Sequence, residues 1–110
     1  MAQNFTAYRA VIAPVVFKWG DFTERNRLLI YDAESGSLVA EVAQSYYPEE
    51  DCGVVSFDFF SAEFEEAYYA CSEENDENGD EFNVEDFLLK HFNVKPVFEE
   101  KNNHFKFEYA

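Results

Sequence analysis

Val54-Val55-Ser56-Phe57-Asp58-Phe59-Phe60-Ser61-Ala62-Glu63-Phe64-Glu65-Glu66-Ala67-Tyr68-Tyr69-Ala70-Cys71 changes its apolar period part-way along. Val55, Phe57 and Phe59 alternate with Ser56 and Asp58, the two-residue period of a half-buried strand, predicted over Val54 to Phe60. From Ser61 the period becomes helical: Phe64, Ala67, Tyr68 and Cys71 stand at i, i+3, i+4 and i+7, a stripe predicting a helix over 62–72. Ser61 suits the N-cap, and Glu63 and Glu65 fall in the first turn, where the helix dipole favours anions. A strand running directly into a helix, in a chain otherwise rich in hairpin signals, points to an α+β domain.

Upstream, Phe5 to Phe17 reads as a long strand interrupted at Pro14, which places an edge or a bulge near that residue. Trp19-Gly20-Asp21 marks a turn. Arg27 to Asp32 and Ser37 to Tyr47 read as strands joined by Ala33-Glu34-Ser35-Gly36, with Gly36 available for positive φ. Pro48 to Gly53 reads as a loop. Downstream, Ser72 to Glu81 reads as an acidic loop, and Asn83 as the cap of a helix over 84–92. Glu85 and Asp86 open that helix, Lys90 and His91 close it, and Asn93 can end it in a left-handed conformation. Pro96 follows, and His104 to Tyr109 alternates as a final strand. The expected fold is α+β in ββββααβ order: a mostly antiparallel sheet of about five strands, with two helices packed on one face. Its 110 residues make one domain, 1–110.

The charge is as uneven as the pattern. The formal net charge is −15. Residues 1–27 and 90–110 are slightly cationic, whereas residues 28–89 hold 18 acids and no Lys or Arg. Fifteen of those acids lie between Glu49 and Asp86. Solubility of a small domain needs a net charge of only about 2–8, and concentrated like charge adds self-repulsion. With 19% aromatic residues, the chain carries enough apolar mass for a folded core rather than an acidic disordered tail. A surface of this sign disfavours direct binding of nucleic acid or anionic lipid. No apolar run is long enough to span a bilayer, and Met1 to Thr6 has no export signal, so a cytoplasmic location is expected. Cys52 and Cys71 do not make a disulfide framework and lack zinc-ligand spacing. His91 and His104 stand in no catalytic constellation, and no phosphate loop or nucleophile elbow is present, so no enzyme is expected.

Two constellations remain. The first is the acidic belt. Glu63, Glu65 and Glu66 on the first helix continue into Glu73, Glu74, Asp76, Glu77, Asp80 and Glu81, with Glu49, Glu50 and Asp51 as a second cluster. Folded carboxylates several ångströms apart imitate the charge density of a nucleic-acid backbone. Tyr46, Tyr47, Tyr68 and Tyr69 supply aromatic anchors of the type enriched at hot spots. The expected partner is a basic protein, a nucleic-acid-binding enzyme whose cationic groove the belt blocks, and a homodimer is compatible with open sheet edges. The second is a calcium-loop pattern: Glu74, Asp76, Asn78, Gly79, Asp80 and Glu85 match positions 1, 3, 5, 6, 7 and 12 of an EF-hand loop, with Glu in place of Asp at position 1. It makes Ca2+ the one cofactor to weigh, and a calcium-binding interaction module an alternative function.

In size and acidity the chain resembles phage proteins that disarm host defence, anti-CRISPR and anti-restriction proteins among them. The resemblance implies a small inhibitor that acts by binding. Immunity proteins that neutralise nuclease toxins use the same acids and aromatics against a cationic site, and are the alternative.

Overall fold

The computed structural model describes residues 5–14, 17–19, 22–47, 52–77, 83–99 and 104–110. In chain order the elements are β1 (Tyr8–Ala13), β2 (Phe17–Trp19), β3 (Phe22–Glu24), β4 (Arg27–Asp32), β5 (Leu38–Tyr47), β6 (Cys52–Phe59), α1 (Ala62–Glu77), α2 (Val84–Phe92), β7 (Val94–Glu99) and β8 (His104–Tyr109). The protein is α+β, with mostly antiparallel strand pairs and two helices. The expected single sheet in ββββααβ order is not what forms. The eight strands seen among the described residues make two four-stranded sheets, β1-β4-β5-β6 and β2-β3-β8-β7.

The first sheet is all antiparallel and follows the sequence pattern closely. β1 stops at Ala13, before Pro14, and lies at the sheet edge, where a residue without a backbone N–H costs no ladder bond. The β4–β5 turn is held by Asp32, whose carboxylate accepts from the Glu34 and Ser35 amides at 2.9 and 2.8 Å. Gly36 takes φ +77°, a conformation that a side chain would oppose. Register places Ile12, Leu28 and Val42 in one row and Ala10, Ile30 and Ala40 in the next, all on one face. Phe57 and Phe59 continue these rows across β6.

That face meets the helices. The Phe57 ring lies 6.4 Å from Phe64, 4.7 Å from Tyr68 and 6.1 Å from Phe87. Phe5, only 3% exposed, sits edge-on to Phe64 and Phe87 at 5.8 and 5.0 Å. Phe64, Leu88 and Val42 are fully buried. Each such side chain contributes about 1.5–3 kcal/mol relative to exposure. An aromatic core of this kind lets 110 residues bear a charge of −15.

The second sheet departs from the sequence reading in three strands. The single strand expected over Phe5 to Phe17 gives way to β1 and β2 on different sheets, and Trp19, expected in a turn, ends β2 opposite Phe22. β3 has only three residues and pairs in parallel with β8, Thr23 opposite His104 and Glu24 opposite Phe105. β7 contains Pro96, which marks a break in the sequence; here it sits on an edge strand opposite Phe107, the position a sheet tolerates. Asn26 ends the β3–β8 pairing with its side chain. Its Oδ1 accepts from the Phe107 amide at 2.7 Å and its Nδ2 donates to the Phe107 carbonyl at 3.1 Å.

A buried ion cluster joins the sheets. Glu24 on β3 is fully buried. It accepts from Arg27 Nε at 2.8 Å and, through its other oxygen, from the Gln44 amide on β5 at 2.8 Å. Arg27 also donates to Glu41 at 2.6 Å. A buried carboxylate is tolerated only when its lone pairs are answered in this way. Both acids raise the Arg27 pKa against the opposing pull of burial, so the guanidinium stays charged.

Candidate functional site

α1 is longer than its apolar stripe. The stripe ends at Cys71, but the helix continues to Glu77. The expected loop from Ser72 is therefore helix for its first turns, and Glu73, Glu74, Asp76 and Glu77 belong to α1. The start is as expected: the Phe64 amide donates to Ser61 Oγ at 3.3 Å, and Glu63 and Glu65 occupy the first turn.

One side of α1 is core. Phe64 and Tyr68 are buried, and Ala67 and Cys71 half-buried. Burial, more than any neighbouring charge, pushes the Tyr68 phenol up to about 12. Burial also raises the Cys71 thiol, which Glu74 raises further and Lys90 opposes. This makes Cys71 a core filler rather than a reactive thiolate.

The opposite side is acidic. At about 100° per residue, Glu63, Glu66 and Glu73 fall on one outward stripe. All three are exposed, and Tyr69 beside them is 52% exposed. Glu65 and Glu74 flank the stripe, half-exposed. Among the described residues, no ion pair ties any of these five to a lysine or arginine. Five carboxylates between Glu63 and Glu74, at about 1.5 Å of rise per residue, give roughly one charge per 3 Å of axis. One DNA strand carries a phosphate every 3.4 Å or so.

The helix dipole sharpens the picture. Its positive end welcomes Glu63 and Glu65, but its negative end has no basic residue in the last turn and is crowded with acids. α2 does the reverse, with Glu85 and Asp86 at its start and Lys90 and His91 at its end. Asn83 caps α2 by accepting from the Glu85 and Asp86 amides at 2.8 and 3.3 Å.

The remaining sequence candidates are spread out. Glu49, Glu50, Asp51, Asn78, Asp80 and Glu81 lie outside the described residues. Tyr46 and Tyr47 end β5, and Cys52 opens β6 rather than lying in a loop. In the calcium pattern, Glu74 and Asp76 are part of α1 and Glu85 of α2. Among the described residues, no group of three His, Cys, Asp or Glu side chains is placed to hold a metal ion. His91 lies against the Phe5 and Phe87 rings at 4.7 and 5.1 Å, and burial, with Lys90 adding to it, lowers its pKa. His104 sits on β8 with a buried Nδ1 that has no partner among the described residues.

Glu24 is the important carboxylate that the sequence reading missed. Its burial depends on Gln44, 20 residues away, and nothing local signals that contact. Among the described residues, no helix is long and apolar enough to cross a membrane. Compared with known protein families, curated proteins and solved structures, the chain matches none.

Proposed function

We propose that this protein is a small acidic inhibitor that acts in the cytoplasm by occupying the cationic nucleic-acid site of a nuclease or another DNA- or RNA-binding enzyme. In this reading the helix pair covers one face of the first sheet and turns the outer stripe of α1 toward the partner. Glu63, Glu66 and Glu73 take the place of backbone phosphates, and Glu65 and Glu74 widen the charged strip. Tyr69 is the aromatic anchor at its centre. The phage anti-defence class, anti-CRISPR or anti-restriction, is the setting this function fits.

The observation that carries the proposal is the acid-loaded C-terminal half of α1. Carboxylates there oppose the helix dipole and one another, and each costs a few tenths of a kcal/mol in the isolated fold. A solvated face needs no such arrangement. A cationic groove offsets the cost on binding and speeds association electrostatically.

The test is capture from nuclease-treated bacterial lysate on immobilised protein, with elution by salt and by duplex DNA. A nucleic-acid-binding enzyme should be retained, released by DNA, and weakened on the order of tenfold or more between 50 and 200 mM salt. Charge reversal at Glu63, Glu66, Glu73 and Glu74 should abolish retention. Undiminished retention by that variant would remove α1 from the interface and defeat the proposal.

A further inference from the structure

An open cleft of about 500 Å³ lies where β1 meets the second sheet, lined by Ile12, Pro14, Arg25, Asn26 and Lys106. In a chain of net charge −15, the lining residues among the described ones include two cations and no carboxylate. We propose that the cleft is a binding site for a phosphomonoester, with its phosphate between Arg25 and Lys106 and its organic part against Ile12 and Pro14.

The backbone sets up the two cations. Thr23 pairs with His104 and Glu24 with Phe105, and the next residue along each segment, Arg25 and Lys106, lines the cleft. The Arg25 amide donates to the Phe105 carbonyl at 2.9 Å. One residue on, the Asn26 side chain clasps both backbone groups of Phe107. These three hydrogen bonds fix the connector against β8 on either side of the Arg25–Lys106 pair. Neighbouring parallel strands lie about 4.8 Å apart, and like charges side by side at that spacing repel.

Glu108 answers Lys106 at 3.0 Å but does not line the cleft. Among the described residues, the Arg25 guanidinium has no carboxylate partner. The planar donor fork of Arg25, with Lys106 beside it, matches the three oxygens of a phosphate group better than the two of a carboxylate. Ile12 and Pro14 give the wall against which an organic group is desolvated. The overall negative charge selects a compact anion over a strand of nucleic acid, whose many charges the rest of the surface repels.

The experiment is a titration of the full chain, followed through its backbone amide resonances, with inorganic phosphate, adenosine 5′-monophosphate and adenosine in turn. The nucleotide should produce saturable shifts centred on Arg25, Asn26 and Lys106 and bind at least fivefold tighter than phosphate, while adenosine leaves those amides unmoved. Arg25→Gln, which keeps the backbone bonds of the connector, should weaken nucleotide binding about tenfold. Lys18→Gln should leave it unchanged. The proposal is overturned if the nucleotide gives no saturable shift by about 10 mM, or if adenosine shifts the same amides equally. It is overturned equally if Arg25→Gln/Lys106→Gln retains full affinity, or if a single-stranded oligonucleotide binds more tightly than the mononucleotide.

Discussion

The two helices share one core and follow opposite electrostatic rules. α2 is built as an isolated helix would be, with an Asn cap, acids at the start and cations at the end. α1 begins in the same way and then abandons the pattern, carrying acids through its last turns with no basic residue among them. Both bury apolar faces against the same Phe57 ring. The difference shows that helix stability does not dictate the outer face of α1; the inner face already secures the helix, which leaves the outer residues available for another task.

The sharpest test of the shared core is truncation on each helix. Phe64→Ala in α1 and Leu88→Ala in α2 should each lower unfolding stability by about 2–5 kcal/mol in urea titrations. If Phe64→Ala costs less than about 1 kcal/mol, α1 is not anchored and the comparison collapses.

A second test uses pH to separate the two sides of α1. Tyr68 ionises at about 12 in the fold against 10 in the open chain. The neutral phenol is therefore favoured by folding, and its contribution is complete below pH 10. It falls as pH rises through that interval, because the unfolded chain loses its proton first. Chemical denaturation at successive pH values should show this decline, and Tyr68→Phe should flatten it; an equal slope in the variant would assign the effect elsewhere.

Smaller still is the cap. Asn83→Ala should cost about 1 kcal/mol and fray the first turn of α2, which amide exchange at Glu85 and Asp86 would report.

The smallest effect is the most diagnostic. Glu73→Gln/Glu74→Gln should stabilise the protein by a few tenths of a kcal/mol, and Lys90→Gln should destabilise it by a similar amount. Added salt should shrink both differences. Destabilisation by the double variant would mean that those carboxylates hold the fold, and the contrast between the helices would vanish.

Local signals account for what the sequence reading placed correctly. Asn83 and Asn93 bracket α2 as expected, with Asn93 at φ 57°. Ser61 and the Phe64-to-Cys71 stripe located the start of α1. The end was missed because apolar periodicity stops at Cys71, while the backbone hydrogen-bond ladder needs no apolar residue to continue. β2 and β3 were missed for one reason and β7 for another. Three residues are too few to show alternation, and Pro96 is compatible with a strand only at an edge, which depends on topology. The acidic character of the α1 surface was legible from composition. The Arg25–Lys106 juxtaposition was not, because it arises from a parallel pairing between distant segments.

That pairing also governs when the molecule can be completed. Asn26 and Phe107 are 81 residues apart and bind each other through two hydrogen bonds. While the chain is being synthesised, the β1-β4-β5-β6 sheet has all its partners early, but β3, paired with β2 on one side, has an open second side until β8 has left the ribosome. The second sheet therefore closes as a late, slow event of high contact order, and the exposed edge of β3 is the point at which a nascent chain is most open to mispairing.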